Sequence, residues 1–283
     1  MLHGKDYTYT HFHSLELKAT FYSAQSNVKD KTILYFHGGG LIYGQRNDLP
    51  EPYIQTFLDN GYHFLTFDYP LAPETPLVDI YSQSKKGLLW FMDHYKKTLG
   101  IESNDFILFG RSAGAYLTLL LSYDKELPKP EKIISFYGYP SLMTPSLSTK
   151  NTFYQKYPAV PEMLVKKMIG STPLADGPLQ TRYALYLYGR QTGRWLDLLG
   201  ISSENKGVFS LTEENLAELP PTFIAHSHDD QDVPYTIGEQ LHAAIPYSYF
   251  YSVSNLEHDF DRDPTVPQAK EAYQKMIDWL LLN

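Results

Sequence analysis

One serine lies where a reversal of the chain could make it a nucleophile. Residues 110–114 read Gly-Arg-Ser-Ala-Gly, directly after the apolar run 106–109 and shortly before a second apolar run at 116–121. Where a buried strand turns sharply into a buried helix, the side chain at the turn points out of the sheet, and glycines let strand and helix approach closely. The helix also directs the positive end of its dipole towards that side chain. We therefore predict that Ser112 is a nucleophile, with a glycine-rich turn without chemistry as the alternative.

A serine hydroxyl needs a base to remove its proton and a third group to orient that base. Two later segments follow predicted strands and supply both: residues 226–234 read His-Ser-His-Asp-Asp-Gln-Asp-Val-Pro, and residues 255–260 read Asn-Leu-Glu-His-Asp-Phe. The order nucleophile, acid, histidine is typical of this strand-turn-helix motif. We predict Asp230 as the acid and His258 as the base. The alternatives for the acid are Asp229, Asp232 and Glu257.

A glycine loop, residues 37–40 (His-Gly-Gly-Gly), follows the strand-like run 32–36. Consecutive glycines let backbone N–H groups converge on an anion with no side chain in the way. We predict that this loop, together with the N–H of Ala113, stabilises the oxyanion of a tetrahedral intermediate. A phosphate cradle is the alternative, but neither a Lys-Ser/Thr pair nor a Gly-x-Gly-x-x-Gly frame accompanies the loop.

The composition excludes several other kinds of site and protein. The 283 residues include no cysteine, which excludes disulfides, thiolate metal sites and a cysteine nucleophile. A net charge of −8 argues against a nucleic-acid surface. We expect no membrane span and no signal peptide. None of the ten histidines has the spacing of a zinc motif, including His226 and His228. We therefore expect a cytoplasmic protein without cofactor or metal. The sequence does not determine the oligomeric state, and a homodimer is one alternative.

The elements that must position these residues alternate along the chain. Two short segments, 7–13 and 15–22, predict an antiparallel hairpin. The strand-like runs that follow are 32–36, 62–68, 106–109, 133–137, 222–225 and 247–253, and the helical patterns are 50–59, 78–99, 113–122, 236–244 and 268–282. Such alternation predicts a parallel sheet with helices on both faces. We expect one α/β domain over residues 1–283, with an eight-stranded, mostly parallel sheet.

One interval, about 140–219, breaks the alternation because it contains no clear strand. Helical candidates appear there at 161–169, 178–188 and 194–199. We interpret the interval as a helical lid at the carboxyl edge of the strands, where open α/β sheets bind ligands. Its aromatic side chains either line a partly apolar pocket or pack the lid onto the body: Phe153, Tyr154, Tyr157, Tyr183, Tyr186, Tyr188 and Trp195. Arg190 and Arg194 either meet an anionic substrate or, as we favour, are solvated helix charges.

Together these motifs resemble the hormone-sensitive-lipase-like esterases of the α/β-hydrolase superfamily. The resemblance covers roughly residue 32 to the C-terminus outside the insertion. It includes residues 68–74 (Asp-Tyr-Pro-Leu-Ala-Pro-Glu), to which we assign a structural role near the glycine loop. It implies an α/β-hydrolase fold. It also implies three oxyanion donors: Gly39, Gly40 and Ala113. Two positions depart from the family pattern, since Arg111 stands where Asp is common and Asp259 where Gly is frequent.

The sequence therefore predicts a serine hydrolase that cleaves small carboxylic esters of short to medium acyl chain. Ser112, His258 and Asp230 would form the catalytic triad, and the reaction would pass through an acyl-enzyme. The alternatives are a peptidase of the prolyl-oligopeptidase type, an acyltransferase, and a non-catalytic binding protein on the same fold. The rate should rise with pH through a histidine pKa of about 6–7.

Overall fold

The computed structural model describes residues 2–282, which contain one eight-stranded sheet. The strands are β1 (Lys5–Phe12), β2 (Leu15–Tyr22), β3 (Lys31–Phe36), β4 (His63–Phe67), β5 (Asp105–Arg111), β6 (Lys132–Phe136), β7 (Thr222–Ser227) and β8 (Ser248–Val253). Their order across the sheet is β1-β2-β4-β3-β5-β6-β7-β8. Strand β2 is antiparallel to both of its neighbours, whereas the six strands β3 to β8 are parallel to one another. The predicted mostly parallel α/β sheet is confirmed.

Helices cover both faces of the sheet, so the central strands are buried on both sides. On one face lie α1 (Glu51–Asp59) and α10 (Pro267–Leu281), and on the other lie α2 (Leu77–His94), α3 (Ala113–Tyr123) and α9 (Tyr235–Ala244). Every residue of β4 and of β6 is buried. Burial on both faces explains why apolar residues stand at consecutive positions, 64–65 in β4 and 133–134 in β6, instead of alternating.

Helix α2 ends earlier than the predicted span of 78–99. After His94 the chain turns, and the N–H of Leu99 bonds to the His94 carbonyl oxygen at 3.1 Å. Gly100 then takes a left-handed backbone with φ of 73°. Leu99 is buried without being helical. The apolar pattern therefore continues past the end of the helix, and burial alone does not mark the boundary.

The segment between β6 and β7 contains no strand among the described residues. It holds α4 (Pro145–Ser148), a 3-10 turn (Tyr154–Lys156), α5 (Glu162–Met168), α6 (Leu179–Thr192), α7 (Trp195–Leu198) and α8 (Glu213–Leu216). The helical candidates at 161–169, 178–188 and 194–199 coincide with α5, α6 and α7. Helix α6 extends further than expected, to Thr192, where the left-handed Gly193 ends it.

Helix α6 is joined to the body of the protein through Arg182. The guanidinium donates to the carbonyl oxygens of Ile42 at 2.6 Å and Ala72 at 2.7 Å. It also forms an ion pair with the buried Glu74 at 2.6 Å. Because Glu74 closes the 68–74 block, that block ties the inserted helix to the loop after β3. The role of the insertion as a lid stays a prediction.

Candidate active site

Ser112 occupies the turn between β5 and α3. Its backbone has φ of 53° and ψ of −119°, a conformation that L residues rarely adopt. A Cβ on Gly110 would overlap the Gly114 backbone, and a Cβ on Gly114 would overlap the Phe36 carbonyl oxygen. The two glycines therefore let the strand, the helix and the neighbouring strand pack together. The turn holds Ser112 at the carboxyl edge of the sheet, as the motif predicts.

The structure brings Ser112, Asp230 and His258 together at this edge. His258 Nε2 lies 2.9 Å from Ser112 Oγ, and His258 Nδ1 lies 2.6 Å from Asp230 Oδ2. The three residues follow β5, β7 and β8 along the chain, and parallel strands end at a common edge. The spacing allows the imidazole to accept the proton of the serine hydroxyl.

Asp230 is fixed by backbone groups as well as by imidazoles. Its Oδ1 accepts the N–H groups of Asp232 and Val233, each at 2.8 Å. Its Oδ2 contacts His258 and also lies 3.2 Å from Nε2 of the buried His226. The carboxylate therefore cannot rotate without breaking several hydrogen bonds, which suits a group that must orient a base.

The other three candidate carboxylates do not hold the position of the acid. Asp229 accepts the N–H of Asn255 at 2.8 Å, and Glu257 is exposed. Asp232 Oδ2 lies 3.8 Å from His258 Nε2, the nitrogen that faces the serine. Among these side chains only Asp230 contacts Nδ1, so only Asp230 is placed to orient the imidazole.

The glycine loop lies against the nucleophile. A Cβ on Gly38 would be 3.4 Å from Ser112 Cβ. Gly39 and Gly40 have positive φ of 98° and 60°. Within residues 2–282, the N–H groups of Gly39, Gly40 and Ala113 donate no hydrogen bond to another protein group. Free N–H groups beside a nucleophile suit a developing oxyanion, so these three residues stay our predicted donors.

Residues 68–74 pack against the start of the glycine loop through Tyr69. Tyr69 stacks on His37 with ring centroids 4.1 Å apart, and its hydroxyl donates to the His37 carbonyl oxygen at 2.8 Å. Asp68 forms an ion pair with Arg46 at 3.1 Å. These contacts fix the start of the loop and lie away from the reacting atoms. They support the structural role predicted for the block.

Arg111, which departs from the family pattern, is buried and contacts the loop that follows β8. It forms an ion pair with Asp261 at 3.1 Å, and its Nε donates to the Tyr137 hydroxyl at 2.8 Å. That hydroxyl donates to Asp261 at 2.6 Å, and the Tyr137 ring lies 4.6 Å from the His258 ring. Sequence reasoning missed Asp261. A charged residue predicted inside a buried turn indicates that an opposite charge lies nearby, but the sequence does not show which residue carries it.

Asp232 is held by the inserted helix α6. The Tyr186 hydroxyl donates to Asp232 Oδ2, and Arg190 Nε pairs with Oδ1 at 3.0 Å. Arg190 is 1% exposed, so its interpretation as a solvated charge is wrong. The free-energy cost of burying the Arg190 charge is offset by its ion pair with the Asp232 carboxylate. Arg194 does lie at the surface, where it pairs with Asp197.

The electrostatic environment keeps Asp230 ionised and favours the protonated imidazole. Burial alone would raise the pKa of Asp230, but the His258 and His226 imidazoles outweigh burial and hold that pKa far below its usual range. Burial alone would lower the pKa of His258. The carboxylates of Asp230, Asp232 and Asp259 outweigh it and raise this pKa to about 9. His258 must therefore lose a proton before it can act as a base, at a higher pH than the sequence suggests.

Two cavities adjoin the reacting side chains. The serine cavity, of about 250 Å³, is lined by Ser112 and by Gly38 and Gly39 of the glycine loop. The histidine cavity, of about 240 Å³, contains His258 and four aromatic side chains of the insertion: Phe153, Tyr154, Tyr157 and Tyr183. Three residues line both cavities: Tyr43, Asp259 and Arg262. Of the aromatic residues predicted for the insertion, these four thus line a pocket, and the other three are buried: Tyr186, Tyr188 and Trp195.

Among residues 2–282, no cluster of three His, Asp or Glu side chains has the arrangement of a metal site. His226 Nε2 lies 2.9 Å from the Val233 carbonyl oxygen, whereas His228 stacks on Tyr235. The two histidines therefore do not converge on a common point. None of the helices in the described part of the chain combines the length and hydropathy that crossing a membrane requires.

Comparison with known proteins gives matches along most of the chain. A family model described as BD-FAE matches residues 20–245. The non-reducing polyketide synthase mapC' of Penicillium brevicompactum is 24% identical over 314 residues, which cover 92% of this chain. The chain spans 14% of the length of that synthase. Esterase LipI of Mycobacterium tuberculosis is 25% identical over 244 residues, which cover 85% of this chain and 69% of the esterase.

A crystal structure extends the similarity to the whole chain. An alpha/beta hydrolase superfamily protein from Enterococcus faecalis matches with a TM-score of 0.83 and 27% sequence identity. The match covers 100% of this chain and 100% of that one. It therefore includes the segment between β6 and β7 as well as the sheet.

Proposed function

Because the chain belongs to the BD-FAE family and has the fold of the hormone-sensitive-lipase-like α/β hydrolases, we propose that it is a carboxylic-ester hydrolase. Ser112 would be the nucleophile, His258 the base and Asp230 the orienting acid. The observation that carries the proposal is the chain of hydrogen bonds from Ser112 Oγ through the imidazole to Asp230. A serine cavity of about 250 Å³ supports small esters with short to medium acyl chains. A cytoplasmic location stays a prediction.

In the proposed reaction, Ser112 Oγ attacks the ester carbonyl carbon while His258 Nε2 takes the hydroxyl proton. The carbonyl oxygen becomes an oxyanion that faces the N–H groups of Gly39, Gly40 and Ala113. When the bond to the alcohol breaks, His258 gives the proton to the leaving oxygen. Water then attacks the acyl-enzyme, with His258 again as the base, and the acid leaves as Ser112 regains its proton.

A fluorophosphonate probe tests the proposal, because it forms a covalent bond with an activated serine. We expect labelling at a single site, and peptide mass spectrometry should locate it on Ser112. Short p-nitrophenyl esters should be hydrolysed, and aminoacyl p-nitroanilides should not. A protein that stays unlabelled under these conditions would contradict the proposal in favour of a binding protein. Preferential cleavage of the anilides would favour the peptidase alternative, and preferential acyl transfer to an added alcohol would favour the acyltransferase.

The pH dependence of hydrolysis should reflect the carboxylates around His258. The base must be neutral to accept the Ser112 proton, so kcat/KM should rise with pH through an apparent pKa near 9. Asp232→Asn removes one flanking negative charge, 3.8 Å from the imidazole. This variant should move the midpoint to lower pH by about one unit. Steady-state rates across the pH range give both midpoints, and equal midpoints would contradict the electrostatic argument.

A further inference from the structure

The histidine cavity is the place for the alcohol part of an ester, if the proposed function holds. His258 must hand its proton to the leaving oxygen, so that oxygen lies within hydrogen-bond reach of the imidazole. The cavity lined by His258 then receives the group attached to this oxygen. The acyl part remains bonded to Ser112, which lines the other cavity. The chemistry of the histidine cavity therefore bears on the identity of the alcohol.

Aromatic rings supply the nonpolar surface of the histidine cavity. Five aromatic side chains line it: Tyr43, Phe153, Tyr154, Tyr157 and Tyr183. No aliphatic side chain in the described part of the chain lines it. Burial raises the pKa of Tyr183 to about 12, so its hydroxyl stays neutral. Phe153 and Tyr154 have ring centroids 5.2 Å apart, and those of Tyr43 and Tyr183 are 6.0 Å apart. The face of each ring carries negative potential that attracts a cation.

The charged groups at the histidine cavity leave one negative charge uncompensated. Asp232 pairs with Arg190, and Asp259 pairs with Arg262. Glu257 also lines the cavity, is exposed, and forms no ion pair within residues 2–282. Asp230 contacts His258, and the Lys156 ammonium lies over the Phe153 ring. With these two groups counted, four carboxylates face three cations, and one negative charge remains when the imidazole is neutral. That is the state in which the serine can attack.

An ammonium group of the same chain already lies over two of these rings. Lys156 Nζ lies 3.5 Å from the centroid of the Phe153 ring and 5.3 Å from that of Tyr157. The lysine is exposed, and its long flexible side chain can swing away. Lys156 does not itself line the histidine cavity, so a substrate ammonium group would contact Phe153 and Tyr157 from the cavity side.

We propose that the alcohol part of the substrate carries a positive charge, as an amino alcohol or a quaternary ammonium alcohol does. It binds in the histidine cavity against the aromatic rings, with its charge towards Glu257. A long alkyl alcohol finds no aliphatic wall there, and a neutral alcohol of the same shape leaves the carboxylate uncompensated.

Acetylcholine and 3,3-dimethylbutyl acetate test this proposal, because they share the acetyl group and nearly the same shape but differ in one charge. We expect kcat/KM for acetylcholine to exceed that for the neutral isostere about tenfold, as cation–π contacts of this kind allow. Glu257→Gln should lower the ratio about threefold, because it removes one exposed charge. The matched variant Glu239→Gln, on the exposed face of α9, should leave the ratio unchanged. Lys156→Gln removes a positive charge beside the Phe153 ring and should raise the ratio.

The outcomes separate this inference from the proposed function. A ratio at or below one, with both esters hydrolysed, overturns the cationic alcohol and leaves ester hydrolysis intact. The same holds if p-nitrophenyl acetate is cleaved and neither alkyl ester is. Equal ratios for Glu257→Gln and Glu239→Gln overturn the assignment to this cavity. If none of the three esters is hydrolysed, the proposed function itself fails.

Discussion

Replacing Ser112 with alanine is expected to lower ester kcat by several orders of magnitude, on the order of 10⁶-fold by analogy with other serine hydrolases. The variant keeps the glycine loop and the imidazole but has no atom to form the acyl-enzyme. Within residues 2–282 the hydroxyl makes a hydrogen bond only with His258, so its loss should leave the fold intact. Steady-state hydrolysis of p-nitrophenyl acetate measures the effect, and thermal unfolding monitors the fold.

Ser135→Ala is the matched control for this experiment. Ser135 lies in β6, next to β5, and its Oγ is buried without a hydrogen-bond partner within residues 2–282. Removing an unsatisfied hydroxyl should change neither the rate nor, to any large extent, the melting temperature. If Ser112→Ala kept more than about a tenth of the activity of the Ser135→Ala protein, Ser112 would not be the nucleophile.

Asp230→Asn should lower kcat about 10⁴-fold, because it selects the wrong tautomer of the base. Asp230 Oδ1 accepts two backbone N–H groups, from Asp232 and Val233. In the variant the amide oxygen must take that place, which turns the NH₂ group towards His258 Nδ1. The imidazole then accepts at Nδ1 and carries its proton on Nε2. An Nε2–H group cannot accept the proton of the serine hydroxyl.

The neighbouring carboxylate provides the control for the acid. Asp229 accepts the N–H of Asn255, and Asp229→Asn keeps an oxygen that can do the same. We expect its kcat to remain within a few-fold of the parent. At a pH above the His258 pKa of about 9, NMR detection of the imidazole protons would locate the proton on Nδ1 in the parent and on Nε2 in the Asp230→Asn protein. Equal activities of the two asparagine variants would show that another group orients His258.

The turn at Ser112 could be predicted because all of its requirements are local. Glycines at 110 and 114, flanked by apolar runs, are sufficient to predict a strand, a tight turn and a helix. The positions of Asp230 and His258 followed from a general rule, namely that parallel strands end at one edge. The choice of Asp230 over Asp229 was less secure in the sequence. It depends on how the loop after β7 folds around two backbone N–H groups.

The partners in the long-range ion pairs could not be predicted from the sequence. Arg111 pairs with Asp261, and Arg190 pairs with Asp232, across elements that are far apart in the sequence. A helix such as α6, with tyrosines and arginines on several faces, does not reveal which side is buried. The higher pKa of His258 was missed for the same reason, since it depends on carboxylates that only the fold brings together.

Helix α6 separates two tasks on adjacent stripes of its surface. Arg182, Tyr186 and Arg190 are spaced four residues apart, so they share one stripe, and each bonds to the body of the protein. Tyr183 belongs to the neighbouring stripe, which borders the histidine cavity. During evolution, substitutions on the second stripe can alter which molecules fit while the first stripe preserves the catalytic scaffold. The stability of the site and the shape of the cavity therefore depend on different residues of the same helix.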